Sequence, residues 1–478
     1  MINLRTTLSV VLLGVVAGCA VNPATGRREL SLISEAQEIQ MGRDADIDVT
    51  ASIGLVDDPE LQAYVTGIGQ RLAAVSERPA LPWSFKVVDD PVVNAFAIPG
   101  GFIYVTRGIL AHFDSEAELA AVLGHEIGHV TARHTVSQMS RQQLQTIGLG
   151  VGMIFSETVR EYGGLASAGL QLLNLSYSRG DESQSDELGL RYITRLGYDA
   201  DAMIGVFQML AGVGGGGEGR IPEWQLTHPY PENREADTRA LIAAQGIQPG
   251  GTVSRNAYLD RIDGLVYGED PRQGFFQGAR FVHPELEFAL TFPQGWNTVN
   301  QRTVVGAVAP DQAAVVVLEV AEDAQDPASA IQEFLRQEGV RGGTVRDDGS
   351  GPVERRRATF DLTTQDGSLR GEVAFVRYDD VVYRLLGYAA TSDWARYSGV
   401  VDTAISSFSA VTSPAILGVQ PWRIDLVTLP GAMSLNTYLS QNPGPVDAAV
   451  LARLNRVDAG AALSAGTRIK RVVGQPLP

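Results

Sequence analysis

Residues 125–134 read His-Glu-Ile-Gly-His-Val-Thr-Ala-Arg-His (HEIGHVTARH) and hold three of the chain's six histidines. Just upstream, Ser115 and Glu118 stand at capping-box spacing. Leu119, Val122, Leu123 and Val130 recur as one apolar stripe, which predicts a single α-helix through this stretch. Each helical residue advances about 100°, so His125 and His129 share a face one turn apart. Both imidazoles can reach one cation, with Glu126 beside them as a carboxylate base, the arrangement of H-E-x-x-H zinc sites. His134 is nine residues past His125, about 900° round, on the far side of the helix. It cannot share the ion while the helix continues. The longer pattern with a third histidine is also excluded, because its Gly and His positions hold Ala132 and Thr135.

A tetrahedral catalytic zinc takes a third protein ligand and leaves its fourth position to water. Downstream, LSYSRGDESQSDELGLRYITRLG (175–197) is a helical pattern closed by Gly197, with Glu182 and Asp186 four apart on one face. Glu182 would complete a set of two histidines and one glutamate, and Asp186 would hydrogen-bond a ligand histidine from behind. Read alone, an acidic helix of this kind is more often a solvated face.

The ordered residues Gly124-His125-Glu126-x-x-His129-Val130-x-x-x-His134 and Ser178-Arg179-x-x-Glu182-x-x-Ser185-Asp186 resemble the zinc metallopeptidase family of HtpX and the CAAX prenyl proteases. In that family the second motif reads S-R-x-x-E-x-x-A-D, and its glutamate is the third ligand. Ser185 stands where the family usually has Ala. NAFAIPGG (94–101) looks like the family's edge strand, and THPYPENR (227–234) looks like a family loop. The match covers roughly residues 35–245.

The resemblance implies a gluzincin-type metalloendopeptidase with one Zn2+ per chain on His125, His129 and Glu182. Glu126 would activate a zinc-bound water by accepting its proton. Asn94, Ala95, Phe96, Ala97 and Ile98 would hold an extended substrate by strand addition. His228 would stabilise the developing oxyanion or occupy the fourth zinc position in a resting enzyme. Arg234 would hold the substrate backbone or the loop itself. Without the resemblance, these two read as a loop histidine beside Pro229 and a surface ion-pairing arginine. His134, His112 and His283 are left as structural.

Composition narrows the remaining possibilities. A net charge of −17 disfavours nucleic acid, which wants clustered Lys and Arg, and disfavours docking on anionic lipid. The lone cysteine, Cys19, excludes an intramolecular disulfide. Residues 1–18 combine a basic start at Arg5 with an apolar run of leader length, and Val16-Ala17-Gly18-Cys19 resembles a bacterial lipobox. That resemblance implies cleavage before Cys19, its lipidation, and anchoring at a periplasmic membrane face. Ala20 after the cysteine points to the outer membrane. No other segment reads as a spanning helix; the apolar stretch 147–176 is interrupted by Glu157, Arg160 and Glu161.

A chain of 478 residues has room for two or three domains. The expected order is a leader at 1–18, a lipidated tether at 19–34 and a metallopeptidase domain at 35–250. An accessory domain at 251–412 and a C-terminal module at 413–478 follow. The fold class is α+β multidomain: a mainly helical zincin-type domain with a small sheet, then an α+β unit that looks weakly similar to PsbP-like domains. The tail resembles the closing half of a LysM module, which implies peptidoglycan contact, although the usual opening turn is replaced by Pro430-Gly431-Ala432-Met433. The glycine run GVGGGGEGR (212–220) reads as a mobile loop suited to gating His228.

Exported, lipidated and without spanning helices, the chain looks most like the family's soluble periplasmic, BepA-like branch. The implied activity is cleavage of unfolded or misassembled outer-membrane proteins, with the outer-membrane assembly machinery as a partner. The alternative is a non-proteolytic assembly factor or chaperone with a dormant hydrolase site.

Overall fold

The computed structural model describes residues 19–149, 176–214, 224, 227, 228, 234–349, 353–364 and 367–478. The expected leader (1–18), most of the expected glycine loop (215–220) and the middle of the THPYPENR stretch (229–233) lie outside the described residues. The chain divides into two compact units, one drawn from within Met1–Met153, Ala168–Glu269 and Trp422–Gly474, the other including Asp270–Pro421 and Gln475–Pro478.

The first unit opens with two short paired strands, β1 (Cys19–Val21) and β2 (Arg28–Leu30). Helices α1 (Glu35–Ile53) and α2 (Pro59–Ala74) follow, each started by a side-chain cap, Ser34 and Asp58 respectively. Strands β3 (Ser84–Val88), β4 (Ala95–Ile98) and β5 (Phe102–Thr106) form a sheet in the order β3-β5-β4. Among the described residues β4 therefore has a strand neighbour on one side only. Gly100 and Gly101, at φ +85° and +101°, make the turn between β4 and β5. Helix α1 lies so close over this turn that a Cβ on Gly42 would stand 2.0 Å from the Pro99 carbonyl oxygen.

Helix α3 (Arg107–His112) leads into the metal helix α4 (Glu116–Thr131), whose first turn is capped by the Ser115 hydroxyl accepting from the Glu118 N–H. The Glu118 carboxylate closes the cap one residue earlier than the capping box predicts, accepting from the Asp114 N–H at 2.7 Å. Then come α5 (His134–Leu149), α6 (Arg179–Arg195), α7 (Asp201–Gly214), α8 (Arg234–Ala244) and α9 (Arg255–Ile262). Gly212 and Gly214 are thus helical, where the sequence suggests loop. Leu61, Val65, Ile68 and Leu72 of α2 pack with Val87, Ile103 and Val105 of the sheet and with Leu119, Leu123 and Ile127 of α4. That core holds the metal helix rigid from below.

In the second unit, β6 (Phe275–Gln277), β7 (Arg280–His283) and β8 (Phe288–Thr291) form an antiparallel run. A larger antiparallel sheet is built from β9 (Asn297–Asn300), β10 (Val304–Val308), β11 (Ala314–Val320), β12 (Val340–Gly342), β13 (Arg346–Asp347), β14 (Glu354–Thr364), β15 (Gly367–Tyr378) and β16 (Val381–Ala390). Its order is β12-β14-β15-β16-β11-β10-β9, with β13 also on β14. Alternation along β15 and β16 sends Val373 and Phe375 to one face, where Phe334 of α10 (Pro327–Phe334) packs, and Ala374 and Val376 to the other. The second face receives Val401 and Ile405 of α11 (Trp394–Ser406). This is the α+β unit the sequence anticipates, beginning at Asp270 rather than at 251.

Residues Trp422–Gly474 return to the first unit. They comprise β17 (Arg423–Thr428), α12 (Leu435–Gln441), α13 (Ala448–Asn455) and β18 (Arg468–Val473), with β17 and β18 antiparallel. The sequence suggests a separate module at 413–478; the structure instead places Ile424, Leu454 and Val472 in the main core of the first unit. Lys470, with no exposed surface, donates to the carbonyls of Ala111 at 3.1 Å and Phe113 at 2.9 Å. Arg456 donates to both oxygens of Glu118 and to the His112 carbonyl. The physical reason is burial: Ile424, Leu454 and Val472 leave water by packing in one core with residues of α3 and α4.

Candidate metal centre

The site forms where α4 and α6 cross, and small residues set the distance. A Cβ on Gly124 would lie 3.2 Å from the Gly189 carbonyl oxygen, one on Gly189 would lie 2.9 Å from the His125 nitrogen, and one on Gly128 would lie 3.0 Å from Ser185 Cα. At this spacing the Glu182 carboxylate reaches both histidines. Helix α6 is started by a full capping box between Ser178 and Asp181, which puts Glu182 in its first turn. Glu182 and Asp186 are both buried, so α6 presents its acidic face inward.

His125 Nε2 and His129 Nε2 lie 3.0 Å apart, and each stands 3.5 Å from an oxygen of Glu182. His228 Nδ1 lies 3.0 Å from Glu182 Oε1. Ligand atoms of these four residues all fall within 4.8 Å of one another. The edges of a tetrahedral zinc site built on bonds of about 2.0–2.1 Å are about 3.3–3.5 Å. The donor set of three imidazoles and a carboxylate suits zinc, and its spacing fits.

Each of these groups is oriented from behind. His125 Nδ1 meets Asp186 Oδ1 at 2.8 Å, and Arg234 is bonded to both oxygens of Asp186 while its Nη1 lies 3.0 Å from Glu182 Oε2. The Arg234 guanidinium also lies over the Phe207 ring, 4.6 Å from its centroid. His129 is stacked on Tyr177, with ring centroids 3.8 Å apart, and Tyr177 shares a 2.9 Å hydrogen bond with Thr135. The His228 N–H donates to the Trp224 carbonyl, and the Thr227 carbonyl accepts from the Tyr177 N–H.

The electrostatics follow from burial and neighbours. Burial lifts Glu126 above the ordinary carboxylate range, with His228 and His125 offsetting part of the shift. Burial acts the same way on Glu182 and Asp186, but is outweighed, for Glu182 by His228 and His129 and for Asp186 by Arg234 and His125, so both fall below that range. Burial lowers His129 and His134, whereas the carboxylates of Glu182 and Glu126 overcome it at His228 and raise its pKa. Glu126 Oε1 lies 3.7 Å from His228 Nε2, and Glu126 Oε2 is buried without a hydrogen-bond partner among the described residues.

Every site residue expected from the sequence therefore gathers here except Cys19, which begins β1, and Phe96, Ala97 and Ile98, which continue β4 away from the cavity described next. Asn94 and Ala95 line a cavity of about 50 Å³ beside Glu126 and His228. Arg234 is a buried clasp on Glu182 and Asp186, and is not aligned along β4. His134 is nearer than helix geometry allows: α4 ends at Thr131, Arg133 adopts φ +58°, and His134 starts a new helix with its Nδ1 3.0 Å from His129 Nδ1. No Gly or Pro marks this break. Tyr177 also escaped notice, its only sequence signal being its place just before the Ser178 cap.

The model of peptidase family M48 matches residues 59–242. This part of the chain is similar to that family. The chain is also similar to named proteases. It is 34% identical over 264 residues to the beta-barrel assembly-enhancing protease of Yersinia pestis, covering 52% of each chain. It is 32% identical over 226 residues to the protein of that name from Escherichia coli K12, covering 45% of this chain and 46% of the relative. The mitochondrial metalloendopeptidase OMA1 of Arabidopsis thaliana is 31% identical over 207 residues, 41% of each. The chain thus spans about half the length of these relatives. The solution structure of cyanobacterial PsbP covers 27% of this chain with a TM-score of 0.24 and 11% identity, a likeness too slight to carry an argument. Among the described residues no helix is long and apolar enough to cross a membrane.

Proposed function

We propose that the chain is a zinc-dependent endopeptidase of the cell envelope that cleaves unfolded or misassembled proteins, outer-membrane proteins among them. The observation that carries this reading is the convergence of His125, His129 and Glu182 in front of a buried carboxylate, Glu126, whose Oε2 has no hydrogen-bond partner among the described residues. A zinc ion on those three ligands supplies Lewis-acid polarisation and a lowered water pKa. Glu126 would accept the proton of an attacking water and return it to the leaving amine. Asp186 keeps the proton of His125 on Nδ1, which leaves Nε2 free to ligate. Strand β4, paired on one side only among the described residues, would offer its backbone to an extended segment. The names of the relatives support protease action near β-barrel assembly, and a lipid anchor at Cys19 would hold the chain at the periplasmic face of the outer membrane. Peptidoglycan contact through 413–478 belongs to the same proposal and is tested by sedimenting the full chain with purified cell wall.

The deciding experiment compares the zinc-loaded chain with Glu126→Gln on an unfolded model protein. Cleavage by the first and not by the second, with equal zinc content, is the expected result. Equal cleavage by both would sink the proposal. A second reading, the dormant assembly factor, is favoured by one observation: His228 stands within the ligand set and can fill the fourth position. In that case His228→Ala should be more active than the parent, whereas an oxyanion role makes it less active.

A further inference from the structure

Helix α7 turns Met203, Val206, Phe207 and Leu210, at spacings of three and four residues, toward Ala121 and Val122 on α4. These six side chains are at most 8% exposed, and they form the inner wall of the cavity beside Glu126. A packing defect between helices would be apolar all round. This cavity is not, because two buried oxygens without hydrogen-bond partners among the described residues, Asn94 Oδ1 and Glu126 Oε2, belong to residues at its rim. The Asn94 backbone is fixed by Thr106, which donates to the Asn94 carbonyl from its N–H and its hydroxyl. The side-chain oxygen is left to accept from another N–H, and burying such an acceptor unpaired is costly.

We infer that this cavity is a specificity pocket for one small aliphatic side chain, of the alanine, valine or leucine class, flanking the scissile bond. Asn94 Oδ1 accepts a backbone N–H of the same extended segment. This inference rests on the peptidase reading and names the substrate class of that site. Size sets the upper limit: a cavity of roughly 150 Å³ holds benzene, and this one has about 50 Å³. Two to four carbon atoms fit and an aromatic ring does not. Charge is disfavoured at the inner wall, where Met203, Val206, Phe207 and Leu210 offer no partner to offset desolvation. In a pocket of this kind each missing or surplus methylene changes the rate by about tenfold or more.

The test digests an unfolded protein with the zinc-loaded chain, maps the new termini by mass spectrometry, and repeats the map with Leu210→Ala. The expected result is enrichment of Ala, Val and Leu over Phe and Tyr by about tenfold or more at one flanking position, relaxing toward Phe in Leu210→Ala. Cleavage without that enrichment, or a variant map identical to the parent's, overturns the pocket and leaves the peptidase standing. Binding separates the two claims if nothing is cleaved. Zinc-loaded Glu126→Gln is titrated with two fluorescent peptides that differ only by Val or Phe at one site. Tighter binding of the Val peptide by about tenfold keeps the pocket while the peptidase reading falls. Equal binding removes the pocket as well.

Discussion

Replacing His134 by leucine should weaken zinc binding about 10- to 100-fold without unfolding the zinc-free chain. His134 Nε2 lies 3.0 Å from Gln184 Oε1, which can only accept, so the His134 proton sits on Nε2. Burial keeps the ring neutral, and Nδ1 is then an acceptor for the Nδ1–H of His129. That bond leaves His129 Nε2 with its lone pair toward His125 and Glu182. Removing an outer partner of a ligating histidine costs about 10–100-fold in metal affinity, which is roughly 1.4–2.7 kcal/mol. The figure agrees with the roughly 1–3 kcal/mol for a buried donor left unpaired. Chelator competition gives the zinc affinity, and the melting temperature of the zinc-free chain controls for folding. His134→Asn retains an acceptor oxygen and should recover part of the loss. A leucine variant that binds zinc within twofold of the parent, or an asparagine variant as weak as leucine, would refute the relay.

Other substitutions probe the site and the fold around it. Glu182→Ala should lower zinc affinity sharply, read by metal analysis, because it removes the carboxylate from the donor set and strands Arg234. Arg234→Met leaves Glu182 and Asp186 as buried, unbalanced carboxylates, a loss of about 3–5 kcal/mol in urea unfolding of the zinc-free chain; adding Asp186→Leu should restore part of it. Burial pulls Lys470 from its ordinary 10.5 down to about 7. The folded state therefore releases that proton first, the penalty is complete below pH 7, and stability is regained as pH rises from about 7 to 10.5. The stability of the parent relative to Lys470→Met should rise across that window, by at most about 5 kcal/mol, and a flat difference would discard the assignment. Burial likewise lowers His112 and His283 to about 4 from 6.5, so each favours the folded state at neutral pH and loses that contribution as pH falls from 6.5 to 4. The loss is about 3 kcal/mol for each, measured as acid destabilisation that His112→Gln or His283→Gln should flatten.

What the sequence alone determined about this protein is what depends on near neighbours along the chain. A helix with a capped start and an apolar stripe puts His125, Glu126 and His129 on one face by rotation alone, and the Pro99-Gly100-Gly101 turn separates β4 from β5 because glycine tolerates positive φ. Glu182 was reached only through family resemblance, since by itself an acidic helix reads as a solvated face. The tertiary structure turns that face inward, because Gly124, Gly128, Ser185 and Gly189 let two helices cross within contact of their backbones. His134 is the instructive case, being only five residues from His129. Helical periodicity sends it to the far side, yet the helix stops at Thr131 with Arg133 at φ +58°, a conformation that costs an L-residue about 1–2 kcal/mol. The groups that hold the break come from elsewhere in the chain. Asn22 donates to the Ala132 carbonyl, Arg78 to the Val130 carbonyl, and Arg133 is bound by Glu38 and the Ile33 carbonyl. Local periodicity therefore sufficed for the ligands on one helix, whereas the third ligand, the outer histidine and the place of the C-terminal segment were decided by long-range contacts that outweigh local preference.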